Sequence, residues 1–191
     1  MATTKDLPTL PFASVPLWEQ WLFEHHAQLD GVWIMMAKKT SEIASVTHDE
    51  ALDVALCYGW IDGQRKTYDS SFFLQKFTPR RPKRLWSKRN IDKVAELTAE
   101  GRMQPAGLAE VEAARQDGRW EAAYDSPKHM VVPEDFLEAL EKNKQAQACF
   151  NTLSKSNVYA IAWRLATAKK PETRKRRFDA LLAMLERGAF R

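Results

Sequence analysis

The chain has 191 residues, 45% of them hydrophobic and 28% charged, with seven Trp and nine Phe. That supplies one sizeable core, or one core with a small appended domain. No apolar run approaches the ~20 residues that span a bilayer, and Met1 to Val15 has neither the apolar centre nor the cleavage pattern of a secretory signal.

Two cysteines, Cys57 and Cys149, lie far apart. This spacing argues against a disulfide framework or a zinc site and fits a reducing, cytoplasmic setting. The net charge of +4 is unevenly placed: Lys76–Lys93 carries eight basic residues and one acid, Lys169–Arg177 six and one, leaving the remainder at −8. Two basic clusters on an otherwise acidic chain point to local anion sites.

In chain order, residues 1–15 carry Pro8 and Pro11 and read as an irregular arm. Trp18, Trp21, Leu22, His25 and Leu29 recur at helical spacing, and Asp30-Gly31 stops that helix. Val32–Ala37 is short and apolar, the pattern of a buried strand. Thr47-His48-Asp49-Glu50 is a capping box, and the helix it opens runs to Tyr58, with Gly59 as a left-handed cap. Trp60–Thr67 and Phe72–Phe77 read as a hairpin around the turn Asp69-Ser70-Ser71. With Val32–Ala37 they form a three-stranded antiparallel sheet.

Pro79 and Pro82 break the chain. Ser87 or Asn90 caps a helix through Ile91, Val94 and Leu97; Pro105 opens the next, with Leu108, Val111 and Ala114 on its apolar stripe. Tyr124–Val132, with Pro127, reads as a linker. Pro133 opens a helix bearing Phe136, Leu137 and Leu140. Ala146–Ala166, broken near Ser154–Asn157, and Pro171–Glu186 complete a helical region. The expected class is α+β: an α+β domain over residues 1–126, then a C-terminal helical bundle over 127–191, able to pack as one domain with the first.

The central candidate is Gly59-Trp60-Ile61-Asp62-Gly63-Gln64 with the basic segment to Asn90. Strand alternation puts Trp60, Asp62 and Gln64 on one face. An indole, a carboxylate and an amide there line a ligand pocket, with Asp62 as candidate acid/base; the competing account is structural, with Asp62 bonding a neighbour. Arg80, Arg81, Lys88 and Arg89 flank Trp86. Guanidinium forks suit phosphates and carboxylates, and an indole offers a stacking surface. The alternative is a solvated loop whose arginines pair with the protein's own acids. Arg174 shares a helix face with Lys170 and Arg177, either as a solvated face or as a second wall of the same anion site. No metal-ligand spacing, phosphate-cradling glycine loop or dinucleotide fingerprint is present, so neither a metal nor a cofactor is expected.

Several motifs are long and unusual. Ala55-Leu56-Cys57-Tyr58-Gly59-Trp60-Ile61-Asp62-Gly63-Gln64, Phe77-Thr78-Pro79-Arg80-Arg81-Pro82 and Trp86-Ser87-Lys88-Arg89-Asn90 are three. Gly101-Arg102-Met103, Asp117-Gly118-Arg119-Trp120 and Ala168-Lys169-Lys170-Pro171-Glu172-Thr173-Arg174 continue the set. Together they resemble the bacteriocin-protection, YdeI/OmpD-associated family from about Trp18 to Gly188. The resemblance implies stress or antimicrobial-peptide protection and assigns no catalytic residue. Three functions follow as expectations: a binding module for an anionic small molecule, acidic partner or nucleic acid; a small-molecule enzyme using Asp62; and a protection role.

Overall fold

The computed structural model describes residues 7–125 and 130–189, and within it the chain divides into two compact units. The first comprises residues up to Trp86 together with Asn90–Ala123; the second comprises Ser87–Arg89 and the chain from Tyr124 onward.

The first unit is built on a four-stranded mixed sheet of order β1-β2-β4-β3. The strands are β1 (Thr9–Pro11), β2 (Val32–Ala37), β3 (Trp60–Thr67) and β4 (Phe72–Pro79). The class is α+β, but the expectation of three antiparallel strands is corrected. β1 adds a fourth strand, parallel to β2, through Thr9 opposite Trp33 and Pro11 opposite Met35. Pro8 and Pro11 concealed it: proline reads as a strand breaker, yet the edge of a sheet tolerates it.

Helices α1 (Val15–His25) and α2 (His48–Cys57) cover one sheet face. Strand alternation explains the arrangement: Val32, Ile34 and Met36 of β2 are buried on that face, as is Phe77 of β4. Trp18 packs on Phe77 at 5.6 Å between ring centroids, and its indole N–H donates to the Ala51 carbonyl at 3.0 Å, tying α1 to α2. The capping box starts α2: the Glu50 amide donates to Thr47 Oγ1, and the Thr47 amide donates back to the Glu50 carboxylate.

Gly59 ends α2 with φ +73° and turns the chain directly into β3. Helices α3 (Lys88–Ala99) and α4 (Pro105–Gln116) follow. Gly107 lets α4 approach the end of α2 closely, since a Cβ there would lie 2.2 Å from the Cys57 carbonyl oxygen. Burial lifts the Cys57 thiol to a pKa of about 11, so it stays protonated at neutral pH.

The second unit packs α5 (Glu134–Glu141), α6 (Lys144–Asn151), α7 (Lys155–Ala166) and α8 (Pro171–Glu186) around Phe136, Leu140, Ile161, Leu165, Leu181 and Leu185. The predicted break near Ser154 is present: Ser154 caps α7 by accepting from the Asn157 amide. Tyr124 of the anticipated linker bridges to Ser87, whereas Pro127 falls outside the described residues. Among the described residues no helix is long and apolar enough to cross a membrane.

Candidate functional site

A cleft of about 400 Å³ opens where the β3–β4 hairpin meets the loop after β4. Its wall is formed by the β3 segment Ile61–Gln64, by Lys76 and Thr78 of β4, and by Pro79, Arg80, Arg81, Arg84 and Leu85. Four of these side chains are cationic and one, Asp62, is acidic.

The β3 wall is a β-bulge. Asp62 pairs with Phe77 and Arg65 with Gln75, so Gly63 and Gln64 together oppose the single residue Lys76. A bulge leaves backbone carbonyls without ladder partners. Gln75, 3% exposed, supplies one: its side-chain amide donates to the Gly63 carbonyl at 2.9 Å, with Gln64 O at 3.4 Å. A buried amide thus sets the contour of the cleft from inside the sheet.

The loop wall is positioned by a turn. Pro82 and Lys83 stand at its centre, Lys83 at φ +66°, and the Arg84 amide donates to the Arg81 carbonyl. Proline followed by a positive φ is the type II pattern, which usually takes glycine at the second place. Because the turn brings its first and fourth residues together, Arg81 and Arg84 are presented side by side, both exposed. Behind them, the Arg80 guanidinium lies over the Trp86 ring at 3.5 Å and donates to the Leu85 carbonyl. Trp86 rests in turn on Trp120 at 5.1 Å. Arg119, 4% exposed, is held by Asp117 and donates to the Arg84 carbonyl at 3.3 Å. The Asp117–Trp120 motif therefore braces the basic loop.

Of the residues anticipated from sequence, Asp62, Gln64, Arg80 and Arg81 line the cleft. Trp60 does not: it is 1% exposed, sits against Trp21, and donates its indole N–H to the His26 carbonyl. Trp60 and the Asp62 carboxylate share the face turned to the helices, and the bulge interrupts the alternation before Gln64. Trp86 is also buried, carrying Arg80 from beneath instead of offering a surface to a ligand. Lys88, Arg89 and Arg174 belong to the second unit. There Lys88 pairs with Asp125 at 2.8 Å, and Arg174 makes a two-pronged contact with Asp135 at 2.7 and 2.8 Å. That contact holds the Asp135 carboxyl below its ordinary pKa.

Asp62 borders the cleft, but its carboxylate turns to the helix side and meets His48 Nε2 at 3.0 Å. This bond raises the His48 pKa, with burial opposing it; Asp49, 3.5 Å from Nδ1, adds to the rise. His48 lines a second hollow of about 340 Å³ with Thr47, Lys38, Lys39, Arg65 and Phe73. Sequence reading missed His48, Lys76 and Gln75. His48 and Asp62 are 14 residues apart with no motif linking them. The offset that places Lys76 opposite Gly63 comes from the bulge, which the two glycines of the motif only hint at. Among the described residues no group of three or more metal-ligating side chains is present.

Comparison with known families gives two matches. Residues 10–110 match the model described as a domain of unknown function (DUF8412), and residues 129–188 match the model described as bacteriocin-protection, YdeI or OmpD-associated. The cleft lies within the first match and the α5–α8 bundle within the second. Neither a curated protein nor a solved structure matches the chain.

Proposed function

The chain belongs to the DUF8412 domain family and carries a YdeI/OmpD-associated domain behind it. From that premise we propose that its first unit is a binding module for small anionic molecules, seated in the β3–β4 cleft. The observation that carries this reading is the charge of the wall. Lys76, Arg80, Arg81 and Arg84 surround the cleft, and the one carboxylate there is engaged by His48. Guanidinium groups held by a turn and by a ring need little reordering to grip a phosphate or carboxylate. Arg81 and Arg84 are exposed, and ion pairs at such positions contribute only ~0.2–1 kcal/mol to stability, so folding alone explains their placement poorly. Calorimetric titration with phosphate and citrate at low and physiological salt tests the proposal. Saturable binding that Arg81→Gln/Arg84→Gln abolishes supports it; no heat at low salt ends it.

A second reading rests on the His48–Asp62 pair. A carboxylate that orients an imidazole beside a hollow is the arrangement of a general acid/base. In that reading His48 acts on the substrate and Asp62 is its positioning partner, reversing the role expected of Asp62 from sequence. No reaction follows from the geometry, so the binding reading is the conclusion. A His48→Gln variant that retained every ligand-induced chemical change of the parent would exclude the catalytic reading.

A further inference from the structure

Lys76 of the cleft wall lies on the sheet face opposite α1 and α2. Trp33 of β2 stands directly across from Lys76 of β4 on that face. Lys76 therefore does two things: it lines the cleft, and its ammonium lies 5.8 Å from the Trp33 ring centroid. Lys66 of β3 approaches the same ring at 4.1 Å. Trp33 is half-buried, whereas Trp60 and Trp86 are almost fully enclosed. None of the β2, β3 and β4 residues that share its face is acidic.

We infer that the ligand of this surface is a nucleotide, its phosphate held by Lys76, Arg81 and Arg84 and its base laid against Trp33. This rests on the anion-binding reading of the cleft and specifies the ligand's class. Lysines over an indole mark a ring whose face is open to a cation or a flat π-system. A base arriving there displaces the Lys66 ammonium from the ring, and a phosphate nearby gives that ammonium a new partner. An indole beside a bound phosphate spans the two ends of one nucleotide. The cleft volume of about 400 Å³ falls in the range of small-ligand sites and favours one nucleotide over a strand.

The test titrates the full chain with inorganic phosphate, ribose 5-phosphate, AMP and a short single-stranded oligonucleotide. AMP is expected to bind at least ~10-fold more tightly than ribose 5-phosphate, the gain from one stacked base. Trp33→Leu should erase that gain and leave ribose 5-phosphate binding unchanged; Trp33→Phe, which keeps a stacking face, should retain most of it. Equal affinity for AMP and ribose 5-phosphate overturns the inference while leaving the anion site standing. Absence of binding by any of the four overturns both. An oligonucleotide binding far more tightly than AMP, with a steep salt dependence, overturns the single-nucleotide assignment in favour of a strand.

Discussion

The side-chain amide of Gln75 donates to the Gly63 carbonyl at 2.9 Å, across a β-bulge in which two residues face one. This bond links the sheet's interior to the outline of the cleft. Replacing Gln75 with Leu removes the donor and leaves a carbonyl unpaired beside a buried side chain. The cost is expected at ~1–3 kcal/mol, read from denaturant unfolding. Because the bulge forms the β3 wall, anion affinity should fall in the same variant.

The turn at Pro82-Lys83 holds the two exposed arginines together at the expense of a left-handed lysine. Glycine adopts that conformation without the Cβ clash. Lys83→Gly should therefore raise stability by ~0.5–1 kcal/mol and leave anion affinity intact. Lys83→Val should lower both. Paired unfolding curves and titrations of the two variants check this.

Arg81 and Arg84 carry the ligand contact in this account. Substituting either with Gln should weaken phosphate binding ~10-fold, as expected for loss of one charge-assisted hydrogen bond. Melting temperatures should stay close to that of the parent, because both side chains are exposed. A large loss of stability would mark them as structural.

The packing of α2 against α4 gives a prediction independent of function. A Cβ on Gly107 would lie 2.2 Å from the Cys57 carbonyl and 2.7 Å from that of Leu56. Gly107→Ala is expected to cost ~3 kcal/mol or to prevent folding, since backbone atoms cannot move aside cheaply. Gly118→Ala meets open space and pays only for its positive φ, ~1–2 kcal/mol.

His48 supplies the pH dependence. Its folded pKa lies above the ordinary value of 6.5, chiefly through the bond to Asp62. Protonated His48 is therefore favoured by folding. The stabilisation is fully present below the unfolded pKa and is lost as pH rises through the folded one. The stability gap between parent and His48→Gln should widen as pH is lowered from about 8.5 to about 5.5. In an Asp62→Asn background the widening should shrink.

Much of the fold was legible in the sequence because its signals are local. The capping box at Thr47, the apolar run Val32–Ala37 and the apolar stripe of α8 each specify their own element. What escaped depends on partners distant in sequence. β1 is three residues, preceded by Pro8 and ending in Pro11, and becomes a strand only because β2 offers it an edge. Alternation pairs Trp60 with Asp62, but it cannot tell which face the helices cover, and it fails at the bulge before Gln64. Arg80 and Arg81 stood out in the sequence as part of a basic cluster, and both line the cleft. Lys76, opposite a bulge, and His48, reaching across from α2, became visible only when the sheet register was in hand.

The most direct test of the anion cleft is amide chemical-shift mapping of the full chain during titration with inorganic phosphate at low salt. The account predicts saturable shifts concentrated at Gly63, Gln64, Lys76, Thr78, Arg80, Arg81 and Arg84, with an apparent affinity that weakens as salt is raised. No saturable shift, or shifts that leave these residues unmoved, would contradict it.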